Sequence, residues 1–260
     1  MQSVNNHCGF FPWLGGKSRL SGKIVNLIQY KPHMAYVEVF AGAAHVFFRK
    51  PESKSETLND LNGDLVNLYR VVQNHLEEFV RHFKFALVSR DEFERLRAQE
   101  PESLTDIQRA SRFFYLQKLA FGGKLGGVYG TSTMGPPRMN LLRIEEDLSQ
   151  AHLRLARVNI ERLDWRECLW RYDRPHTLFY LDPPYHGSET DYGKGLFKQA
   201  DFEEMAKILA GLEGQWILSL NDNPEVRRIF AQFHFEEVAL NYSVCKGKPT
   251  KAKELFITPN

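Results

Sequence analysis

Residues 177–185 have the sequence TLFYLDPPY, in which an apolar run comes directly before a carboxylate, two prolines and an aromatic ring. The run 177–181 predicts a buried strand, and the prolines end it because they lack the N–H donor that a sheet ladder needs. In open α/β sheets, ligands bind beyond the carboxyl ends of the strands. The stretch therefore predicts an α/β fold with a functional group at the end of this strand.

The polar groups that follow the strand suit an amino group on a nucleobase. The Asp182 carboxylate and the Pro183 carbonyl are acceptors, and Pro183 and Pro184 make the turn rigid. A planar amine could donate one N–H to each acceptor while Tyr185 stacks on the ring that carries the amine. The alternative is a strand that simply ends in a turn, since Asp and Pro are common turn residues.

Patterns at both ends of the chain extend the α/β prediction to a whole core. Strand-like runs lie at 35–40, 57–60, 158–160, 216–220, 238–242 and 254–258, and helical patterns lie at 20–30, 45–49, 61–74, 201–212 and 224–233. Strands that alternate with helices are typical of an α/β domain. We therefore expect a core built from residues 1–68 and 145–260.

The middle of the chain, residues 69–144, has no strand pattern. Helical patterns lie at 76–87 and 91–98, and the glycine-rich stretch 122–135 is typical of an extended loop or hairpin. These features predict a mainly helical insertion within the α/β core.

The net charge is only +2, but positive charge is concentrated in this insertion. Residues 109–143 carry basic side chains among aromatic ones and contain no Asp or Glu. Basic residues mixed with aromatic residues are typical of nucleic-acid surfaces. We therefore expect four of these cations to contact a nucleic acid: Arg112, Lys118, Lys124 and Arg138. The alternative is a solvated basic face beside a small aromatic core.

Several other classes of protein are excluded by the sequence. It contains no run of about 18 apolar residues and no signal-peptide pattern, so we expect a cytoplasmic protein without a membrane partner. The cysteines Cys8, Cys168 and Cys245 are far apart, and none lies in a metal-spaced cluster with histidines. We therefore expect free thiols and no bound metal.

A strand–turn–helix pattern near the N-terminus predicts a nucleotide site. Small residues around Gly42 follow the run 35–40 and allow a ligand to approach the backbone. Asp60 lies about 20 residues further on, where an acid binds ribose hydroxyls in dinucleotide folds. Glu38 could meet a polar or cationic part of the same ligand. An adenosine moiety would fit, although Asp60 could instead cap the helix that follows it.

Residues 15–18, Gly-Gly-Lys-Ser, resemble the end of a P-loop but lack its upstream glycine and its preceding strand. Phosphoanhydride binding is therefore excluded. Lys17 still places a cation near the start of a helix, where it suits a carboxylate or a phosphate. Trp13 beside it could stack on an aromatic ring.

With these residues in view, the chain resembles the Dam-like family of DNA adenine N6-methyltransferases, which is often found in phages and prophages. Motifs in the family's order carry the resemblance, at residues 11–17, 38–44, 59–62 with Asp64, and 182–185. A family-like ending at 219–222 and 253–256 extends it over nearly the whole chain. Two positions depart from the pattern: Ala44 replaces a common second glycine, and Gln117 stands where many relatives have Asn.

The resemblance implies a Rossmann-like, S-adenosylmethionine-dependent methyltransferase core with an inserted, mainly helical DNA-recognition domain. The residues that it implies for S-adenosylmethionine are Trp13, Lys17, Glu38, Phe40, Gly42 and Asp60. The catalytic motif would be Asp182, Pro183, Pro184 and Tyr185, and the basic residues of the insertion would contact double-stranded DNA. The expected reaction is site-specific methylation of N6 on a flipped-out adenine, without a metal.

Three alternatives predict different features. Cytosine N4 presents the same two donors to the same motif, so the reaction product has to distinguish the two bases. A catalytically silent DNA-binding regulator would have no need of the cofactor residues. A methyltransferase that acts on protein amides would carry Asn at the position of Asp182 and would lack the basic insertion.

Overall fold

Seven strands form one mixed sheet in the computed structural model, which describes residues 9–131, 134–187, 197–242 and 250–260. The strands are β1 Ala35–Glu38, β2 Ser55–Asn59, β3 Asn159–Glu161, β4 Thr177–Leu181, β5 Gln215–Asn221, β6 His234–Tyr242 and β7 Thr250–Thr258. Their order across the sheet is β3-β2-β1-β4-β5-β7-β6. The expected α/β architecture and the expected strands are confirmed.

The sheet has a parallel part and a reversed part. β1 pairs in parallel with β2 and β4, β2 with β3, and β4 with β5. β7 lies antiparallel between β5 and β6. The strand order changes direction between β1 and β4, and this is the position where open α/β sheets form a ligand crevice.

Ten α-helices lie in the described residues. They are α1 Ser21–Gln29, α2 His45–Arg49, α3 Gly63–Asn74, α4 Leu76–Arg81, α5 Arg90–Ala98, α6 Asp106–Leu119, α7 Ile144–Leu155, α8 Trp165–Tyr172, α9 Gln199–Ala210 and α10 Pro224–Ile229. Side-chain caps fix where some of them begin. Thr105, for example, forms a reciprocal capping box with Gln108 at the start of α6.

Alternate residues of the central strands enter two hydrophobic cores. On β4, Leu178 and Tyr180 belong to one core, and Phe179 and Leu181 belong to the other. Helices α1 to α7 contribute to the first core, and α8 to α10 contribute to the second. Parallel strands that are covered on both faces are apolar throughout, which explains the continuous apolar run of residues 177–181.

The middle segment is helical, as its pattern predicts, and it contains α4, α5 and α6. Its buried rings Phe79, Phe93 and Phe114 belong to the same core as Tyr36 of β1. The expected junction after residue 68 lies inside α3. The segment therefore packs directly on the α/β core through a shared hydrophobic interior.

A short hairpin follows α6, and we call residues 119–130 the 119–130 hairpin. The Phe121 N–H donates to the Val128 carbonyl at 2.8 Å, and the Gly130 N–H donates to the Leu119 carbonyl at 2.8 Å. At its tip, the Gly127 N–H donates to the Lys124 carbonyl. The glycine-rich stretch thus forms a hairpin in its first part, as its composition predicts.

Helix α8 has no counterpart among the sequence predictions. It has eight residues, four of which are charged or tyrosine, and only Trp165, Cys168 and Leu169 are buried. Two turns are too short for a helical period to stand out in the sequence. The Asp164 side chain begins the helix by accepting from the Arg166 N–H.

Candidate active site

A cleft opens at the carboxyl ends of β1, β2 and β4, where the strand order changes direction. The open space within it, including the solvent at its mouth, is about 920 Å³. All the residues expected to bind the cofactor line it, namely Trp13, Lys17, Glu38, Phe40, Gly42 and Asp60. Asp182 and Pro184 line the same cleft, so the N-terminal, strand-end and catalytic motifs meet in one cavity.

Asp182 follows β4, and two side chains hold one of its oxygens. Asp182 Oδ1 accepts from Lys17 Nζ at 2.6 Å and from Ser219 Oγ at 3.0 Å. The Tyr180 hydroxyl lies 3.0 Å from Ser219 Oγ. Because a hydroxyl has one hydrogen, Tyr180 donates to Ser219 when Ser219 donates to Asp182. Asp182 Oδ2 accepts no hydrogen bond from the described residues and can receive a donor from a ligand.

The rest of the catalytic motif is held by β5 and β7. Within residues 183–184, Pro183 is buried and Pro184 reaches the cleft. The Tyr185 hydroxyl donates to Glu254 Oε1 of β7. The Asn221 side chain of β5 accepts from the His186 N–H and donates to the His186 carbonyl, each at 3.1 Å. The loop therefore keeps its position through side chains from two neighbouring strands.

Lys17 is buried between the cofactor residues and the catalytic motif. Its ammonium contacts Asp182, donates to the Gly15 carbonyl at 3.2 Å and lies 4.7 Å from the centroid of the Tyr185 ring. Lys17 thus lines the cleft as expected and, in addition, contacts the catalytic carboxylate. The N-terminal motif had indicated only a cofactor role for Lys17.

Glu38 ends β1 as a buried carboxyl group. Its Oε1 accepts from the Tyr36 hydroxyl at 2.8 Å and from the Phe47 N–H at 2.9 Å. Its Oε2 is buried without a hydrogen-bond partner among the described residues. Burial raises the pKa of Glu38 to about 8, although the bonds from Tyr36 and Phe47 oppose the shift. A cationic ligand group in the cleft would satisfy Oε2 and favour its ionised form.

The turn after β1 requires small residues because the indole of Trp13 lies on it. Gly42 has a φ of +49°, and a Cβ atom there would lie 2.9 Å from Trp13 Nε1. The Tyr69 hydroxyl donates to the Gly42 carbonyl at 2.5 Å. Ala44 has a φ of 49°, in the left-handed region where glycine is favoured. This geometry explains why glycine suits position 44 and why alanine is strained there.

Asp60 joins this turn to the end of β2. Its Oδ2 accepts from the Gly42 N–H at 3.0 Å, and its Oδ1 accepts from the Asn62 N–H at 2.9 Å. Burial raises the pKa of the Asp60 carboxyl, and these backbone donors oppose the shift. The capping alternative for Asp60 is wrong, because the side chain of Asn62 caps α3. Each Asp60 oxygen keeps a lone pair for a ligand hydroxyl.

Another wall of the cleft comes from Asp164 and Trp165, which belong to none of the motifs recognised in the sequence. Asn59 is buried and donates to the Val39 and Leu163 carbonyls at 2.9 and 3.1 Å. The hydrogen bond to Leu163 fixes the segment after β3, where Asp164 and Trp165 line the cleft. The only signal for this wall in the sequence was the position of Asn59 next to Asp60.

The four cations expected to contact DNA have different surroundings. Arg112 donates to the Leu96 carbonyl at 2.7 Å, which ties α6 to α5. Lys118 Nζ lies 5.5 Å from the Phe114 ring centroid, and burial lowers the pKa of Lys118. Lys124 and Arg138 are exposed, and Arg138 donates to the Ala120 carbonyl at 3.3 Å. Of these four cations, Lys124 and Arg138 are the two that present exposed charge near the 119–130 hairpin.

The hairpin is attached to the N-terminal wall of the cleft. Buried Gln117 donates to the Gly123 carbonyl at 2.6 Å and to the Pro12 carbonyl at 3.3 Å. The Leu14 N–H also donates to the Gly123 carbonyl, at 3.0 Å. Gln117, which stands where many relatives have Asn, thus places a side chain one methylene longer between the hairpin and the N-terminal wall of the cleft. Large apolar side chains of the same hairpin are exposed, namely Phe121, Leu125 and Val128.

Groups of three or more His, Cys, Asp or Glu side chains that could hold a metal ion do not occur among the described residues. None of the helices in the described ranges is long and apolar enough to cross a membrane. Cys168 is a buried free thiol whose pKa is raised to about 12 by burial. Cys8 and Cys245 lie outside the described residues.

Comparison with known proteins identifies relatives of the whole chain. Residues 13–244 match the family described as D12 class N6 adenine-specific DNA methyltransferase. The chain is 30% identical to the DNA adenine methylase of Escherichia coli K12, over 95% of this chain and 93% of that protein. It is 24% identical to the DNA adenine methylase of Haemophilus influenzae, over 96% and 93%. It is also 22% identical to the type II methyltransferase M.CviBI of a Paramecium bursaria Chlorella virus, over 88% and 89%.

Proposed function

The chain belongs to the D12 class of N6 adenine-specific DNA methyltransferases, and from this we propose how its residues share the reaction. Its activity is methyl transfer to N6 of adenine in DNA, and family membership implies S-adenosylmethionine as the donor. In the proposal, the donor binds in the cleft at β1, β2 and β4. The target adenine binds at Asp182, Pro183, Pro184 and Tyr185. The proposal rests chiefly on Asp182 Oδ2, which lies at the edge of this cleft and accepts no hydrogen bond from the described residues.

The cleft fits S-adenosylmethionine on three counts. Glu38 Oε2 is buried without a described partner, and it suits the cationic amino group of the donor. The Asp60 carboxylate can accept from the ribose hydroxyls. The aromatic side chains of Trp13 and Phe40 line the same space and suit the adenine ring. These contacts, with Gly42 permitting close approach and Lys17 suited to a carboxylate, form the proposed donor site.

When bound, S-adenosylmethionine supplies a methyl group whose bond to sulfur breaks as the bond to N6 forms, and the methylated amine then loses one proton to water. The N6 lone pair is delocalised into the adenine ring. Acceptors that hold both N–H bonds favour a more nucleophilic, tetrahedral nitrogen. Asp182 Oδ2 and the Pro183 carbonyl are the proposed acceptors, and the Tyr185 ring is the proposed stacking surface.

We propose that residues 69–144 form the DNA-recognition region, with the 119–130 hairpin as its contact element. Lys124 and Arg138 carry exposed charge beside the hairpin, and such cations bind phosphates. Arg112 and Lys118 lie on α6 with half-buried side chains, so we expect a smaller contribution to DNA binding from each. Phe121 and Val128 are 60% and 61% exposed on the same hairpin. Apolar side chains of this kind can enter a base stack.

Base flipping is part of the proposal because Asp182 is recessed. Its side chain is only 17% exposed, so an adenine within a duplex does not reach Oδ2 without leaving the stack. Unstacking costs on the order of a few kcal/mol, which contacts from the hairpin would offset. Membership of an adenine-specific class favours adenine N6 over the cytosine N4 alternative.

The proposed function is tested by methylating unmodified duplex DNA with the purified protein and labelled S-adenosylmethionine. Nucleoside analysis of the product should find N6-methyladenine and no N4-methylcytosine. Methylation-sensitive sequencing of the same DNA should find the modified adenines within one short sequence word. Label in cytosine, or adenine methylation without sequence preference, would contradict the proposal.

A further inference from the structure

Two residues on neighbouring strands hold two consecutive residues of the catalytic loop. Asn221 of β5 and Glu254 of β7 are directly opposite each other in the antiparallel ladder. Glu254 accepts from the Tyr185 hydroxyl, and Asn221 makes two hydrogen bonds to the His186 backbone. Directly opposed residues in an antiparallel pair have Cβ atoms roughly 4.5–5.5 Å apart. The pair therefore anchors Tyr185 and His186 to one point on the sheet.

Glu254 is an unusual residue for its position. It is 1% exposed and is followed on β7 by Leu255, Phe256 and Ile257, which are all fully buried. Burying a carboxylate is unfavourable unless donors compensate for its lost hydration. An apolar side chain would satisfy the packing of β7 without that cost. The phenol of Tyr185 is one donor that this buried carboxylate binds, and packing alone gives no reason for a carboxylate here.

We propose that Glu254, supported by Asn221, is a positioning residue for the target base. This inference rests on the proposed function, in which Tyr185 stacks on the flipped adenine. Buried Glu254 does not contact the base itself and acts through the Tyr185 hydroxyl. The bond holds one end of the ring, while the Asn221 bonds hold the backbone next to it.

Fixing the ring in this way has a direct consequence for catalysis. A hydrogen bond at the far end of a Tyr side chain restricts its first torsion and so fixes where the ring lies. The stacked adenine then keeps its amine in line with Asp182 Oδ2. Small misplacements of a bound substrate lower reaction rates strongly, by up to about 100-fold for 1 Å. The expected defect is therefore in turnover rather than in donor binding.

The test uses two variants of Glu254. Glu254→Leu removes the acceptor, and Glu254→Gln keeps an acceptor oxygen in a side chain of the same shape. Tyr185→Phe removes the donor but keeps the ring. We expect Glu254→Leu to lower kcat about tenfold with little change in KM for S-adenosylmethionine, and Glu254→Gln to recover most of the loss. In the Tyr185→Phe background, Glu254→Leu should have little further effect, because the hydroxyl through which it acts is gone.

A fluorescent base separates positioning from a general loss of structure. With 2-aminopurine at the target position, stacking on Tyr185 quenches emission, so the Glu254→Leu complex should be brighter than the wild-type complex. The matched control is Tyr172→Phe, which removes another Tyr–Glu hydrogen bond, to Glu161, away from the loop. It should leave kcat and the fluorescence unchanged.

The outcomes distinguish this inference from the proposed function. If the wild-type protein methylates no adenine, the proposed function fails. If it methylates adenine while Glu254→Leu and Glu254→Gln both retain wild-type kcat, only the positioning role is wrong. Should Glu254→Leu melt at a much lower temperature than wild type, Glu254→Gln and Tyr185→Phe decide the question. A kcat loss of about tenfold in Tyr185→Phe, which breaks the same hydrogen bond and leaves Glu254 in place, supports the role, and wild-type kcat in Tyr185→Phe contradicts it.

Discussion

Lys17 Nζ lies 2.6 Å from Asp182 Oδ1, so the N-terminal motif and the catalytic motif share a buried ion pair. The two side chains are 4% and 17% exposed, and this limited exposure reduces screening of their attraction by solvent. The pair lies between the cofactor residues and the open Asp182 Oδ2. One lysine therefore connects the two halves of the site.

We predict that Asp182→Ala and Asp182→Asn abolish methyl transfer but preserve donor binding. Loss of a charged acceptor should cost at least about 3 kcal/mol in the transition state, which is more than about 100-fold in kcat. Asp182→Asn keeps the shape of the side chain and so controls for the stranded Lys17 ammonium. Turnover and calorimetric titration with S-adenosylmethionine measure the two effects. Near-normal turnover in Asp182→Asn would contradict the assignment of Asp182 as the charged acceptor for the target amine.

Ser219→Ala should lower kcat about tenfold while KM for S-adenosylmethionine stays nearly constant, because only one of the two donors to Asp182 Oδ1 is lost. Tyr180→Phe, which removes the donor to Ser219, should give a smaller defect in the same direction. Steady-state kinetics on cognate duplex DNA measure both variants. Unchanged kcat in Ser219→Ala would mean that Lys17 alone orients the carboxylate.

Donor binding should strengthen as pH rises from about 6 to about 7.5, because Glu38 has a pKa of about 8 in the free protein and is mostly protonated below it. A cationic amino group at Oε2 favours the carboxylate, so each binding event should release a proton in this range. Calorimetry in two buffers with different ionisation enthalpies counts the released protons. Glu38→Gln is the control and should bind weakly without proton release. Equal proton release by both proteins would assign it to another group.

Asp60→Ala should weaken S-adenosylmethionine binding by about tenfold or more, through lost ribose contacts and the freed Gly42 N–H. Asp60→Asn keeps one acceptor oxygen and should be less impaired. Both should retain kcat at saturating donor better than Asp182→Ala does. Calorimetry that finds unchanged donor affinity in Asp60→Ala would refute the ribose assignment.

Lys124→Ala and Arg138→Ala should each weaken binding to all duplexes alike and lower the salt slope by about one unit, if each cation binds one phosphate. A cation that contacts a base edge should instead cost roughly 1–3 kcal/mol at one base pair and relax the recognised word. The control is Lys207→Ala, which removes an exposed cation from α9, on the other face of the sheet. Titrations at several salt concentrations, on cognate and scrambled duplexes, separate these cases. If Lys124→Ala and Arg138→Ala bind DNA with the same affinity and salt slope as Lys207→Ala, the DNA surface lies elsewhere.

Most of the strands and the main motifs were predictable because their signals are local. The apolar run 177–181 and the prolines after it contain both a strand and its end within nine residues. Gly42 and Asp60 are likewise recognisable from their spacing along two successive strands and turns. Hydrophobic period and turn chemistry act between near neighbours, so the sequence by itself determined these elements and the motifs at their ends.

Only the tertiary structure decided which side chains support the catalytic loop. Glu254 reaches Tyr185 because β7 is inserted antiparallel beside β5, and Ser219 reaches Asp182 because β5 lies next to β4. Lys17 likewise joins Asp182 across 165 positions of sequence. Strand order and register depend on which apolar faces pack together over the whole chain, and local patterns do not encode them. The catalytic motif at 182–185 was therefore recognisable in the sequence, whereas the contacts that support it are determined by the fold.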